Sequence, residues 1–506
     1  MTIKNISFDN EKYLREQSKS ILDRAAQFGN KLYLEFGGKL VYDYHASRVL
    51  PGFDPNVKMK LLKGLKDKIE VIICIYSGDI ERKKIRADFG ITYDTNTLKL
   101  IDDLREGGIN VCAVVVTRFT GQQIVKQFMN KLERRNIKVY THSLIRGYPT
   151  NIDLIISEEG YGANPYIQTS KPIVIVTAPG PGSGKLATCL SQIYHEHIQG
   201  MKAGYAKFET FPIWNLPLKH PVNMAYESAT ADLGDFNQVD PFHLEAYNIT
   251  AVNYNRDIEI FPVVKKIMER IMDSQLVYKS PTDMGVNKAG FAIINDDLVQ
   301  QAAKQELIRR YLRYSCEYVM GVSDKKTVQR AELLMKELNL TVLDRIVVEK
   351  ARQASIDAKE KGKGNEGVFA GAAIELKNGK VITGSNSPLM HAASALILNA
   401  IKELASIPKN IHLLSPNILK SISLLKSEIF NSKQLSLNLE ETLITLSISA
   451  DFNHSAKVAI EKLKELRGCE MHSTHIPTTG DEAGLRRLGL NVTSDSNFSS
   501  KSLFIP

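Results

Sequence analysis

From residue 71 to residue 178 the chain alternates between short apolar runs and longer stretches of helical period, and this rhythm narrows its fold more than any other feature. The runs are VIICIY (71–76), INVCAVVV (109–116), KVYTHSLI (138–145), IDLIIS (152–157) and IVIVTA (173–178). Between them lie segments such as TNTLKLIDDLREGG and GQQIVKQFMNKLERRN, in which apolar residues recur every three or four positions. β-Branched runs of this length form strands, and intervening helices imply parallel pairing, because parallel neighbours need a long crossover. The expectation is an α/β domain with a largely parallel sheet covered on both faces. Ahead of it, LYLEF and KLVYDY flank Gly37-Gly38 and predict a hairpin.

Ligands of open parallel sheets bind beyond the carboxyl ends of the strands, so the residues after each run are the candidates. The fifth run leads into APGPGSGKLATC (178–189), a phosphate-loop-like turn entering a helix. Backbone N–H groups of such a loop point at an anion, the helix dipole favours it, and a lysine adds positive charge. Gly180, Gly182, Ser183, Gly184, Lys185 and Thr188 are therefore candidate ligand-binding residues. Against the pattern G-x-x-x-x-G-K-[ST], Pro179 replaces the first glycine and Leu186 the hydroxyl residue that holds Mg²⁺. The alternative is an ordinary strand-to-helix turn. The other runs are followed by Ser77-Gly78-Asp79, Thr117-Arg118 and Glu158-Glu159-Gly160-Tyr161-Gly162, and GYAKF is followed by Glu209. Asp79 or Glu209 would hold a metal or act as a base, while Arg118 and Lys185 would neutralise phosphate.

At 506 residues the chain exceeds a single simple core. The composition, 43% hydrophobic and 24% charged, is that of a globular protein. No run approaches a membrane span and the N-terminus lacks the apolar core of a secretion signal, so the expected location is the cytoplasm. Cys74, Cys112, Cys189, Cys316 and Cys469 are scattered, as expected of reduced core thiols. The net charge of +9 comes from basic residues interleaved with acidic ones. With no basic tail or nucleic-acid motif, it favours attraction of anionic small molecules over nucleic acid.

Three parts are expected: an α/β domain over 1–256, a mainly helical connecting domain over 257–365 and a C-terminal α/β domain over 366–506. Within the first, residues 210–255 are rich in proline and polar residues and read as a lid. Glu227, Asp232, Asp235 and Asp240 offer it a metal ligand, although a solvated acidic loop accounts for most of them. His195 and His197, two apart on a helix, read as surface residues. The segment SPTDMGVNKAGFAI (280–293) is equally a functional loop or a connector, and KEKGKGNEG (359–367) reads as a linker. The last part opens with a hairpin around Asn378-Gly379, a helix LMHAASALILNAIKELA and a strand IHLLS. That order resembles the cytidine-deaminase-like fold. Its zinc chemistry needs H-x-E and P-C-x-x-C, whereas His391-Ala392-Ala393 lacks the glutamate and Pro416 is followed by Asn417, Ile418, Leu419 and Lys420. Thr383, Ser385, Asn386 and Ser387 form the expected polar pocket there. Cys469, His472 and His475 read as an exposed strand and loop rather than a metal site.

The segments FGGKLVYDYHASRVLPGF, IYSGDIERKKIRADFGITYD, VTAPGPGSGK and SPTDMGVNKAGF resemble the bacterial family known as the 1846 domain of unknown function. The resemblance spans nearly the whole chain and implies a multi-domain α/β architecture, a helical middle, a C-terminal α/β part and homo-oligomerisation. It brings no catalytic residue with it. The residues themselves point to a transferase or ligase that binds ATP, another nucleotide or a different phosphorylated metabolite. Lys185 would contact phosphate, and Asp79, Glu209 or Asp232 would hold Mg²⁺ or activate a nucleophile. A variant of this reading uses the same site for a sugar phosphate or nucleotide substrate without ATP. The alternative of a different class is a non-catalytic nucleotide sensor or scaffold.

Overall fold

A computed structural model describes residues 6–86, 90–275 and 277–500. It divides into two compact units, Met1–Glu306 and Leu307–Pro506. The first is built on six strands: β1 (Leu32–Phe36), β2 (Ile69–Tyr76), β3 (Val111–Thr117), β4 (Val139–His142), β5 (Ile173–Thr177) and β6 (Gly204–Phe208). They lie in the order β4-β3-β2-β5-β1-β6, and every pairing is parallel. β2 reads IEVIICIY, and all but its last residue are buried, which explains its unbroken apolar run.

Helices α1 (Asn10–Gln27), α2 (Tyr93–Glu106), α3 (Gln123–Glu133), α4 (Lys185–Ile198) and α5 (Asn255–Met272) accompany this sheet. α1 starts where the Asp9 side chain accepts from the Lys12 amide, and it buries Tyr13, Gln17, Ile21 and Ala25, a strict i, i+4 stripe. Its buried Gln17 bonds the Val286 carbonyl and the Lys288 amide. Segment 280–291 is thereby fastened to α1, and the Val286 amide donates to the Lys207 carbonyl on β6 at 2.9 Å.

Two strands expected in the first unit are absent. LYLEF does not open a hairpin: β1 pairs in parallel with β5 and β6, and the chain after Gly38 runs to a helical turn, Tyr44–Val49, capped by Asp43. IDLIIS contains a helical turn, Ile152–Ile155, whose Asn151 side chain accepts from the Leu154 amide. A local cap thus outweighs the β-propensity of its isoleucines. Glu158–Gly162 consequently does not follow a sheet strand, and Glu159 pairs with Arg146 in solvent. The polar stretch 210–255 is ordered by helices Pro221–Ala229 and Pro241–Tyr247 and by antiparallel pairing of Asn237–Val239 with Val252–Tyr254.

In the second unit, β7 (Gly371–Glu375) and β8 (Val381–Ser385) form the expected hairpin, with Gly379 at φ +82° in its turn. β9 (Glu470–Ser473) pairs antiparallel with β7 and parallel with β10 (Asn491–Ser494). On β7, Ala373 packs with Val347 and Ala351 of α6 (Ile346–Glu360). Its neighbours Ala372 and Ile374 join Leu396 and Ile397 of α7 (Ala392–Leu404) in the main core. The strand's two-residue period therefore places a helix on each face. IHLLS is not a strand; Leu413 and Leu414 are buried there in irregular backbone. Helix Asp296–Val319 runs through the unit boundary. Beyond it, Arg309 binds both Glu470 oxygens and the Cys316 thiol approaches Ser494. The helical segment 257–365 is thus shared between the two units. All five cysteines are free, four of them buried.

Candidate functional site

From β2 the chain moves outward to β3, whereas from β5 it crosses β1 to β6, so connections leave the adjacent strands β2 and β5 in opposite directions. The crevice beyond their carboxyl ends is a topological switch point, where such sheets bind ligands. Asp79 lies on one side and the loop Ala178–Gly184 on the other.

Close packing shapes that loop. Gly184 stands at φ +86°, and a β-carbon there would come 2.8 Å from the Thr117 methyl; at Gly180 one would come 2.4 Å from the Tyr93 ring. Gly182, at φ +68°, faces open space. The Thr117 hydroxyl donates to the Ser183 carbonyl at 2.9 Å, and the Ser183 hydroxyl donates to that of Gly180 at 2.7 Å. The Arg118 guanidinium donates to the Gly182 carbonyl at 2.5 Å and lies 3.5 Å from the centre of the Tyr76 ring. The loop then delivers the chain into α4 at Lys185. First-turn amides of a helix have no intrahelical acceptor, so those of α4 remain for an anion.

Lys185 extends toward a charged cluster on β1, β6 and α5. Its Nζ is 3.9 Å from Glu35 Oε1, and Glu35 Oε2 accepts from the Tyr205 hydroxyl at 2.7 Å. Lys207 lies 3.3 Å from Glu209 and bonds Asp257 at 2.5 Å. Glu209 keeps 16% of its side-chain exposure. Burial pushes its carboxyl up to about 7, reinforced by Asp257 and Glu35 and opposed by Lys207 and Lys185. Burial alone would discharge Lys207, but Asp257, Glu209 and Glu35 outweigh it and hold the ammonium above the ordinary lysine range. The Glu209 amide donates to Asn287 Oδ1 at 2.7 Å, and the Trp214 indole donates to the Asn287 carbonyl. Segment 280–291 therefore positions the acid.

Of the residues singled out in the sequence, Lys185, Gly180, Gly182, Ser183, Gly184 and Arg118 meet at this rim. Asp79 is there too, but it is 1% exposed and paired with Arg82. Thr188 is not: it is fully buried, 3.4 Å from both Cys74 Sγ and His142 Nδ1. One turn into α4, its hydroxyl points at the sheet rather than at the loop. The acidic lid residues serve structure. Asp235 pairs with Arg256, Asp240 accepts from the Thr282 hydroxyl and amide, and Glu227 accepts from the Asn237 amide. Asp232 is exposed. Among the described residues no three His, Cys, Asp or Glu side chains are grouped to hold a metal. His195 is half-buried and bonds the Asn164 carbonyl, while His197 is exposed.

Sequence reasoning missed Glu35, Lys207 and Asp257. The first two carried a signal, since LYLEF and GYAKF each place one charge inside an otherwise buried strand, and such charges need partners. Beside the loop, a small cleft is lined by Ala178, Pro179, Lys39, Arg86, Lys99 and Asp103.

Family models for the N-terminal and C-terminal parts of the domain of unknown function DUF1846 match residues 6–339 and 343–504. The chain belongs to the DUF1846 family. Two relatives, each called a UPF0371 protein, come from Clostridium botulinum (strain Eklund 17B / Type B) and Clostridium tetani (strain Massachusetts / E88). Each is 58% identical over 499 residues, covering 99% of both chains. The DUF1846 models meet between residues 339 and 343, beyond the structural boundary at Glu306. No helix among the described residues is long and apolar enough to cross a membrane.

Proposed function

We propose that this chain is an enzyme of the cytoplasm that binds a phosphorylated small molecule at the switch point and moves a proton through Glu209. The observation that carries the reading is a phosphate-loop-like turn whose Lys185 reaches into the same charged cluster as a carboxyl poised near neutrality. The α4 amides cradle the phosphate, and Lys185 and Arg118 neutralise it. Glu209 alternates between acid and base, at the pKa where such exchange is most efficient near pH 7. ATP-dependent phosphoryl transfer or ligation would place Mg²⁺ on Asp79. The pairing of buried Asp79 with the exposed Arg82 and the apolar Leu186 favour instead a sugar phosphate or nucleotide as the substrate itself.

Titration calorimetry with ADP, ATP and glucose 6-phosphate, with and without Mg²⁺, tests this. Lys185→Ala is expected to weaken the phosphorylated ligand about tenfold or more, the value of a lost charge-assisted bond. Glu209→Gln is expected to keep binding and lower turnover about 10²- to 10⁴-fold. Unchanged affinity in Lys185→Ala overturns the site.

A second reading, a ligand-binding sensor without turnover, is favoured by the prior pairing of Lys185 with Glu35 and of Asp79 with Arg82. It keeps the Lys185→Ala effect and lacks turnover of any bound ligand. Under both readings the C-terminal unit supports assembly. Its hairpin and α7 keep the first two elements of the deaminase-like order, whose third, IHLLS, is not a strand, and its exposed Ile429, Phe430, Ile444 and Phe452 support homo-oligomerisation. Light scattering of the full chain tests the latter.

A further inference from the structure

The second unit contains an open cavity at the start of α7. Of the residues expected there, Asn386 and Ser387 line it, whereas Thr383 and Ser385 do not. Both lining residues are already engaged. Asn386 bonds the Ala370 amide and the Val368 carbonyl, and Ser387 accepts from the Leu389 and Met390 amides.

Of the two histidines on its wall, His475 has its Nδ1 2.9 Å from the Thr474 hydroxyl, and the other is His391. Its Nδ1 lies 2.7 Å from Asp481 Oδ2. Asp481 is buried and doubly fastened: Oδ1 accepts from the Leu439 amide and Oδ2 from the Thr478 hydroxyl, both at 2.8 Å. A carboxylate so held fixes the ring orientation and keeps the proton of the neutral imidazole on Nδ1, as carboxylate–histidine pairs do in other sites. Nε2 is then left as an acceptor, and the His391 side chain retains 21% exposure at the cavity wall.

The rest of the lining selects the ligand's charge. Among the described lining residues Glu366 and Asp481 occur and no lysine or arginine, so this wall offers a phosphate two carboxylates and, as potential cations, only the imidazoles of His391 and His475. One part of the wall is apolar, with Val368, Ile476 and Pro477; another is hydroxyl- and amide-bearing, with Gln434, Ser436 and Ser473. That combination matches an uncharged, hydroxylated molecule with one apolar face.

We infer that the second unit carries its own small-molecule site, for an uncharged hydroxylated ligand of the kind represented by nucleosides and glycosides, and that His391 Nε2 accepts a hydrogen bond from a ligand hydroxyl. The site is independent of the phosphate-binding reading of the first unit.

Saturation-transfer NMR on the full chain with adenosine and methyl β-glucoside, each beside its phosphorylated counterpart (adenosine monophosphate and glucose 6-phosphate), tests it. At least one neutral probe is expected to bind, and His391→Asn, which keeps a residue favoured at a helix N-cap, is expected to weaken it tenfold. In wild-type protein with ¹⁵N-labelled histidine, the same probe is expected to move the Nε2 resonance that disappears in His391→Asn. This second readout does not depend on the variant's stability. Lys185→Ala leaves neutral-probe binding unchanged, which separates this site from that of the first unit. Absence of neutral-probe binding overturns the inference, as does binding indifferent to His391→Asn or a phosphorylated probe bound more tightly through His391.

Discussion

Glu209 and His142 make opposite demands on the pH dependence of folding. The folded state holds the Glu209 proton up to about pH 7, whereas an unfolded glutamate releases it near about 4.3. Between those values the folded chain binds more protons, so this residue lowers stability as pH rises, by at most about 1.4 kcal/mol per unit. His142 behaves in the reverse sense: burial lowers its pKa to about 4, and stability grows as pH rises from there toward the ordinary histidine range. Their slopes oppose each other over mildly acidic pH. Glu209→Gln is expected to remove the first, so that urea unfolding midpoints at pH 8 gain on those at pH 5 relative to the parent. An unchanged difference would mean that Glu209 is ionised throughout.

At the scale of elements, the loop before α4 separates two uses of glycine. Gly182→Ala meets only the left-handed backbone penalty, about 1–2 kcal/mol, because space beside it is open. Gly184→Ala adds a clash with Thr117 on β3, and its melting temperature is expected to fall further. Thr117→Ser, which removes the clashing methyl, is expected to restore part of the loss. The same distinction explains what could be read in advance. β2, β3 and β5 announce themselves because both faces are buried, and α2 and α3 by their periodic stripes. Gly37 misleads: it serves neither turn nor hairpin but admits the Glu209 side chain, which would lie 2.4 Å from a β-carbon there. Nothing local records that approach, because its partner lies just beyond another strand, β6. Asp257 is silent for the same reason, being one acidic residue in the first turn of α5 until folding brings Lys207 to it. Lys185 and the loop glycines were legible because their chemistry is contiguous in sequence.

On the scale of the molecule, the structural boundary at Glu306 assigns the end of helix Asp296–Val319 to the second unit. Arg309 and Arg345 both bind Glu470 and hold its carboxyl below the ordinary range despite burial. Arg309→Met in the full chain is expected to destabilise the second unit by about 2 kcal/mol, the value of a charged hydrogen bond. Hydrogen exchange should show faster opening of β9 and β10 and unaltered protection of β2 and β5. Equal protection everywhere would exclude the helix from that unit. The strand order has a further consequence, for synthesis. β5 fills the gap between β1 and β2, so Leu32 and Ile69 must both wait for Ile173 before their ladders can close. While the ribosome is still extending the chain toward that residue, two apolar strands present unpaired edges. A nascent chain of this topology therefore has reason to engage chaperones before its fifth strand emerges, and stalling translation just short of Ile173 would prolong its most aggregation-prone interval.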